Sequence, residues 1–73
     1  MKVKDNKDVY EKLLKLTKIK QMLSELRDME IREVDEIQDK KELEEIRERF
    51  NLLVKAGQYL SEYEEKLIKK LYE

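Results

Sequence analysis

The sequence predicts an all-α fold, a small antiparallel three-helix bundle in a single domain of 73 residues. Charged residues make up 48% of the chain and apolar residues 40%, proportions that are typical of long surface helices and coiled coils. The chain contains one glycine and no proline, too few turn-forming residues for a fold built from β-hairpins. Its apolar residues recur three and four positions apart, which is the spacing of one helical face. A long two-helix hairpin or coiled coil is the alternative architecture.

The first helix is predicted over about residues 9–36, after a basic N-terminal segment, residues 1–7, that we expect to be disordered. Asp8 and Glu11 have the spacing of a capping box, in which two side chains bind the free amides of a helix's first turn. The apolar residues that follow predict a single buried stripe on this helix: Val9, Leu13, Leu16, Ile19, Leu23 and Leu26.

Two further helices are predicted over about residues 40–56 and 62–72, because an apolar-periodic run fills each segment. Each helix also has its own capping box, which marks the residue at which it begins. The two boxes are Asp39 with Glu42 and Ser61 with Glu64.

The number of helices depends on Gly57. Within a continuous helix, glycine costs about 1 kcal/mol relative to alanine, and a buried Glu64 would cost more. In a turn after the second helix Gly57 has no such cost, because glycine adopts the left-handed conformation freely. The sequence therefore favours a turn. An unbroken helix stays open as the alternative, since one heptad repeat passes through both segments, at positions 43, 46, 50, 53, 57, 60, 64, 67 and 71.

The residue content disfavours enzymes, metalloproteins and membrane proteins. The chain has no cysteine and no histidine, which removes thiolate zinc sites, disulfides and the commonest general base. We interpret its many neighbouring carboxylates as solvated helix surface, and we expect no catalytic residue, cofactor, metal or small-molecule substrate. No apolar run approaches the roughly 20 residues of a membrane span. We expect a soluble, cytoplasmic protein.

Apolar residues outside the predicted stripes indicate a protein-binding function. Tyrosine and methionine are common at such surfaces, and a core built from so short a chain is only marginally stable by itself. We therefore predict a helical interaction module, a regulator, inhibitor or adaptor, that binds a protein partner or forms a homodimer. The broad stripes of a three-helix bundle would instead bury most of these residues. The candidate partner-binding residues are Tyr10, Leu14, Met22, Leu52, Tyr59 and Tyr63.

Charge is distributed unevenly, with seven lysines and three acids in residues 1–20 and eleven acids and six bases in residues 21–50. The basic segment suggests a second hypothesis, a nucleic-acid-associated regulator that binds phosphates through its lysines. Successive residues of a helix are rotated by about 100°, however, so these lysines point in different directions. The candidate residues are Lys12, Lys15, Lys18 and Lys20.

A third hypothesis is based on a short motif, LSEYEEKLI at residues 60–68. It resembles the Ser-Gln-Glu-Leu-Asp signature of the sporulation aspartyl-phosphate phosphatases, which are small helical hairpins. Ser61 matches the signature and Glu65 stands where that family has aspartate, whereas the three residues between them depart from it. The resemblance implies a regulator that acts on the phospho-aspartate of a response regulator through Glu65.

Overall fold

The computed structural model describes residues 6–72, which form two long α-helices joined by a short turn. Helix α1 spans Lys7–Val34 and helix α2 spans Lys40–Leu71. The two helices run antiparallel and pack against each other, and no strand occurs among the described residues. The predicted all-α fold is confirmed, but the three-helix bundle is wrong, and the chain forms a two-helix hairpin. Of the segment predicted to be disordered, residues 1–5 lie outside the described residues and Lys7 belongs to α1.

Helix α1 begins two residues earlier than predicted and without the predicted capping box. Asn6 precedes the first helical residue, and its side chain makes no capping hydrogen bond. Asp8 lies inside the first turn, where its carboxylate interacts favourably with the positive end of the helix dipole and forms an ion pair with Lys12 at 3.0 Å. Charge, rather than a side-chain cap, therefore stabilises the start of α1.

Helix α2 begins where the sequence predicts, at a cap formed by Asp39. The Asp39 side chain accepts a hydrogen bond from the backbone N–H of Lys41 at 3.2 Å, and Glu42 adds negative charge to the first turn. The helix then continues for 32 residues, through Gly57 and Ser61. The predicted turn and the predicted third helix are therefore wrong.

Gly57 stays helical because it faces α1 in the middle of the heptad repeat. Its φ is not positive, and a Cβ at this position would lie 3.4 Å from Leu23 Cδ2, so the position faces Leu23 of α1 across the seam. Glu64, which follows in the same repeat, accepts a hydrogen bond from Lys20 Nζ at 3.1 Å and is not left unpaired. If the chain turned at Gly57, the part of α2 on one side of it would lose its contacts with α1. A glycine within a helix costs only about 1 kcal/mol relative to alanine.

The two helices meet along one seam, a row of inward-facing positions on each helix. On α2 the seam is the predicted heptad repeat, and each of its residues is buried or half-buried. On α1 the predicted stripe is partly wrong, because Ile19 and Leu26 are about half exposed and polar residues take the inward positions. Only one row of a helix can face a single neighbour. The seam of α1 consists of Val9, Leu13, Leu16, Lys20, Leu23, Arg27 and Glu30.

The core that this seam provides is thin. Among the described residues, only Val9, Leu16, Ile46 and Leu67 are buried. The chain exposes 6709 Å² of accessible surface, whereas a compact globular protein of the same 9.0 kDa exposes about 4,900 Å². The unfolded chain would expose about 13,000 Å², so the hairpin alone buries only about half of that surface. Much apolar surface is left outside the seam.

Candidate protein-binding face

A second apolar stripe runs along α1 beside the seam. Its four residues have the 3-4-3 spacing of the seam itself, but each lies one position earlier in the sequence. One position corresponds to a rotation of about 100° around the helix, so this stripe faces sideways out of the hairpin. The four side chains are between 48% and 64% exposed. They belong to Ile19, Met22, Leu26 and Met29.

Helix α2 carries a matching stripe, again one position before the seam residues. Leu52 and Tyr59 are 65% and 70% exposed, Tyr63 is 45% exposed, and Ala56 is half-buried between them. Each stripe therefore offers a row of side chains that the hairpin does not use for its own packing.

The two stripes lie on the same side of the hairpin. Near the open end, where the chain begins and ends, Ile19 of α1 and Tyr63 of α2 line one groove together with the seam residues Leu16 and Leu60. The stripes thus form one continuous surface, which we call the exposed apolar face. It consists of Ile19, Met22, Leu26, Met29, Leu52, Ala56, Tyr59 and Tyr63.

Near the turn, an arginine joins the same two rows. Arg49 Nε donates to both carboxylate oxygens of Glu30, at 3.0 and 2.9 Å, and Arg49 Nη2 donates to Glu33 Oε2 at 3.2 Å. The hydrogen bond to Glu30 raises the pKa of Arg49. Arg49 continues the row of Leu52 on α2, and Glu33 continues the row of Met29 on α1. These bonds favour the helix rotation that brings both stripes to one side.

Charged residues of opposite sign extend the two rows beyond the exposed apolar face. Within the two rows, the open end holds four exposed lysines, Lys12, Lys15, Lys66 and Lys70, and the turn end holds three exposed glutamates. Each end also contains one opposite charge, Asp8 beside Lys12 and Arg49 beside Glu33. Hydrogen bonding to Asp8 raises the pKa of Lys12. We call Lys12, Lys15 and Lys66 the basic end, and Glu33, Glu42 and Glu45 the acidic end.

Four of the six residues predicted to bind a partner lie together on the exposed apolar face: Met22, Leu52, Tyr59 and Tyr63. The other two, Tyr10 and Leu14, are exposed as well but lie across the seam, one position after the seam residues. Sequence reasoning missed Ile19 and Leu26 as surface residues, because it assigned them to the core. The 3-4-3 spacing of the α1 stripe was the signal that could have identified them.

The four lysines predicted as a nucleic-acid site do not form one surface. Lys20 lies in the seam and pairs with a glutamate of α2, whereas Lys12 pairs with an aspartate of its own helix. Lys15 lies in the row of the exposed apolar face, and Lys18 lies on the outer surface of α1. The structure therefore separates residues that the sequence grouped together.

The side opposite the exposed apolar face has a different character. A second groove between the helices is lined there by Ser61 and Glu65 of the short motif, together with Lys20 and Arg27 of α1. Within residues 6–72, no three acidic side chains come close enough to hold a metal ion. Neither described helix combines the length and apolar content needed to cross a lipid bilayer.

No protein-family model, no curated protein and no solved structure matches this chain. Its function therefore has to be inferred from the hairpin itself, whose two sides differ in chemistry.

Proposed function

We propose that this chain is a helical protein-interaction module, which acts as a regulator, inhibitor or adaptor by binding a protein through its exposed apolar face. The observation that supports this proposal most directly is the pair of stripes on one side of the hairpin, spaced 3-4-3 on α1 and 4-3-4 on α2. The spacing is that of a helix–helix seam, but the stripes have no neighbour within the described chain.

The chemistry of the face suits protein binding. Fully burying a Leu, Ile or Met side chain is worth about 1.5–3 kcal/mol, so covering side chains that are about half exposed gives about 1 kcal/mol each. Tyr59 and Tyr63 add aromatic area with a polar tip, and Met22 and Met29 adapt readily to an irregular partner surface. Seven exposed side chains of this kind provide enough energy for specific association.

The shape of the face favours a helical partner. Two neighbouring helices present two parallel ridges with a groove between them, and the side chains of a third or fourth helix pack into such grooves. The charged residues at the two ends would then orient that partner along the hairpin. We expect the bound protein to offer one or two amphipathic helices.

Photo-crosslinking in the cell that naturally produces the protein tests this proposal. We would place p-benzoylphenylalanine at Met22 in one variant and at Leu14 in a matched control. These positions are 64% and 65% exposed, lie on the same helix and differ in the side that they face. Adducts that form from position 22 but not from position 14 are the expected result. Equal adducts from both positions, or none from position 22, would contradict the proposal.

The groove on the opposite side favours a second candidate, the phosphatase-like regulator. Ser61 and Glu65 of the motif line this groove beside Arg27, a cation of the kind that a phosphorylated partner would need. Glu65→Gln should then lengthen the lifetime of a response regulator's phospho-aspartate in the presence of this protein. Glu48→Gln, on the outer surface of α2, is the control. A lifetime that the wild-type chain leaves unchanged would exclude this candidate.

A further inference from the structure

We infer that the exposed apolar face binds a second copy of this chain, and that two hairpins stack face to face in antiparallel orientation to form a four-helix homodimer. This inference depends on the proposed function, because it names the protein that covers the face.

The accessible surface of the single hairpin indicates that it is incomplete. The 6709 Å² that it exposes exceed the value for a compact 9.0 kDa protein by well over 1,000 Å². A short chain with a thin core is commonly stabilised by association with other chains. A second hairpin bound to the exposed apolar face would complete a four-helix bundle. It would also cover the largest apolar part of the excess accessible surface.

The size of the face agrees with that role. From Lys12 to Glu33 the rows extend about 32 Å, at 1.5 Å per residue, and two helices side by side are about 20 Å wide. The resulting surface measures roughly 650 Å² in projection. Because side chains protrude from the helices, the accessible area is larger than this projection. It approaches the roughly 800 Å² that each partner buries in a stable interface.

The charges select the second copy and its orientation. A twofold axis that crosses the helices lays the open end of one hairpin on the turn end of the other, so that each basic end meets an acidic end. Lys15 then lies opposite Glu33 of the second copy. A twofold axis parallel to the helices would instead place basic ends together and acidic ends together. The face is therefore complementary to itself in one arrangement and not in the other.

The apolar residues match in the same arrangement. A twofold axis through the middle of the face brings Met22 towards Leu26 of the second copy, and Ile19 towards Met29 of the second copy. On the other helix it brings the small Ala56 opposite the large Tyr59 of the second copy. Alternation of small and large side chains allows two layers to interdigitate.

The other side of the hairpin offers no such surface. The positions one step after the seam hold Thr17 and Ser24 in the middle of α1 and Ser61 on α2, so its centre is polar. The exposed apolar residues on that side are grouped near its two ends and not along its middle. Tyr10, Leu14, Ile68 and Tyr72 lie near the open end, and Ile31 lies near the turn beside an apolar pocket that Val34 and Phe50 also line. A second copy bound there would bury hydroxyl groups in place of the methionine and leucine side chains of the exposed apolar face.

The first test is the mass of the purified protein in solution. Sedimentation equilibrium at tens of micromolar should give twice the 9.0 kDa of the chain. Met22→Glu should shift the protein to monomer while circular dichroism still shows helix, and the equally exposed Leu14→Glu should leave the dimer intact. A wild-type monomer at this concentration, or a dimer that only Leu14→Glu disrupts, would overturn the inference.

Charge exchange tests the orientation. Lys15→Glu and Glu33→Lys should each weaken the dimer by about fivefold to twentyfold, because each contact occurs twice in a twofold dimer. The double variant should regain most of the wild-type affinity, since it reverses both charges of one contact. A parallel arrangement would give the opposite result, with Lys15→Glu tightening the dimer, and would overturn the antiparallel one.

The two tests separate this inference from the proposed function. A monomeric wild-type protein whose position 22 still crosslinks to a different protein would overturn the homodimer and leave the protein-binding role in place. A monomer whose position 22 forms no adduct would contradict both.

Discussion

The two long sides of the hairpin are built by the same helices and differ in chemistry. On one side, the positions one step before the seam hold Ile19 and Leu26 in the middle of α1. On the other side, the positions one step after the seam hold Thr17 and Ser24 at the same height. A shift of two positions, about 200° around the helix, therefore separates an apolar surface from a polar one.

This difference shows that the seam and the sides of the hairpin have separate roles. The seam needs only one inward row per helix and tolerates polar members, because Lys20 and Glu64 pair within it. The apolar residues of one side are not required for that packing, since the polar side of the same hairpin lacks them. Their concentration on one side is the basis of the proposed binding role. Variants that act on the seam, on one side or on an end of one side should have distinct effects.

The largest effect should come from charging the seam. Leu53 is a half-buried seam residue, and Leu52 beside it is 65% exposed on the apolar side. Leu53→Glu should reduce the free energy of unfolding by about 3 kcal/mol or more, because it places an unpaired charge between the helices. A hairpin of this length has only about 4–11 kcal/mol in total, so we expect extensive unfolding.

Leu52→Glu is the matched control for this change. It should leave helicity intact and weaken self-association, because Leu52 lies outside the seam and is 65% exposed. Circular dichroism and sedimentation measure the two properties separately. If Leu52→Glu unfolds the chain as completely as Leu53→Glu, the distinction between seam and side is wrong.

The next largest effect should follow from making the two sides alike. Replacing Ile19 by Thr and Leu26 by Ser copies the residue types of the polar side onto the apolar side. The dimer should lose about 3 kcal/mol of association free energy, since four side chains are truncated at a twofold interface. The dissociation constant, measured by sedimentation, should rise more than 100-fold while the helix content stays unchanged. An unaltered dissociation constant would mean that the two sides are equivalent.

The sequence was sufficient to predict the helical class, the cap at Asp39 and the heptad repeat of α2. Its prediction of the turn was wrong because a local rule, the preference of glycine for turns, was outweighed by contacts with a distant segment. Leu23 lies against Gly57 across the hairpin, and no pattern within residues 54–68 indicates that neighbour.

The candidate site was predictable in part for a related reason. Exposed Met and Tyr residues were recognised because they lie outside the stripes that the sequence assigned to the core. Ile19 and Leu26 were not recognised as surface residues. By spacing alone, both fit a stripe with Leu16 and Leu23, and Lys20 fits that stripe equally well. Only the position of α2 decides which row faces inward, and that position depends on pairings such as Lys20 with Glu64.

A smaller effect, of opposite sign, is expected at Gly57, where the seam borders the polar groove. Gly57→Ala should raise the free energy of unfolding by about 1 kcal/mol, because alanine has the higher helix propensity and restricts the unfolded chain. The new Cβ would meet Leu23 Cδ2 at 3.4 Å, an ordinary contact. Urea denaturation at a fixed protein concentration measures the change. Ala56→Gly, one position away, should cost a similar amount, and a destabilised Gly57→Ala would show that the helices cannot accept the methyl group.

The smallest effect concerns the basic end. Lys12, Lys15 and Lys18 changed together to Gln should leave folding unchanged, because all three side chains are exposed. The dimer should weaken only a few-fold at low salt, since Lys12 and Lys15 belong to the basic end and Lys18 does not. Lys18→Gln alone should therefore have no effect. The difference should fade at about 0.5 M salt, where charges are screened over a few ångströms. If the triple variant unfolds, or if Lys18→Gln alone weakens the dimer equally, the basic end does not strengthen the dimer through its charge.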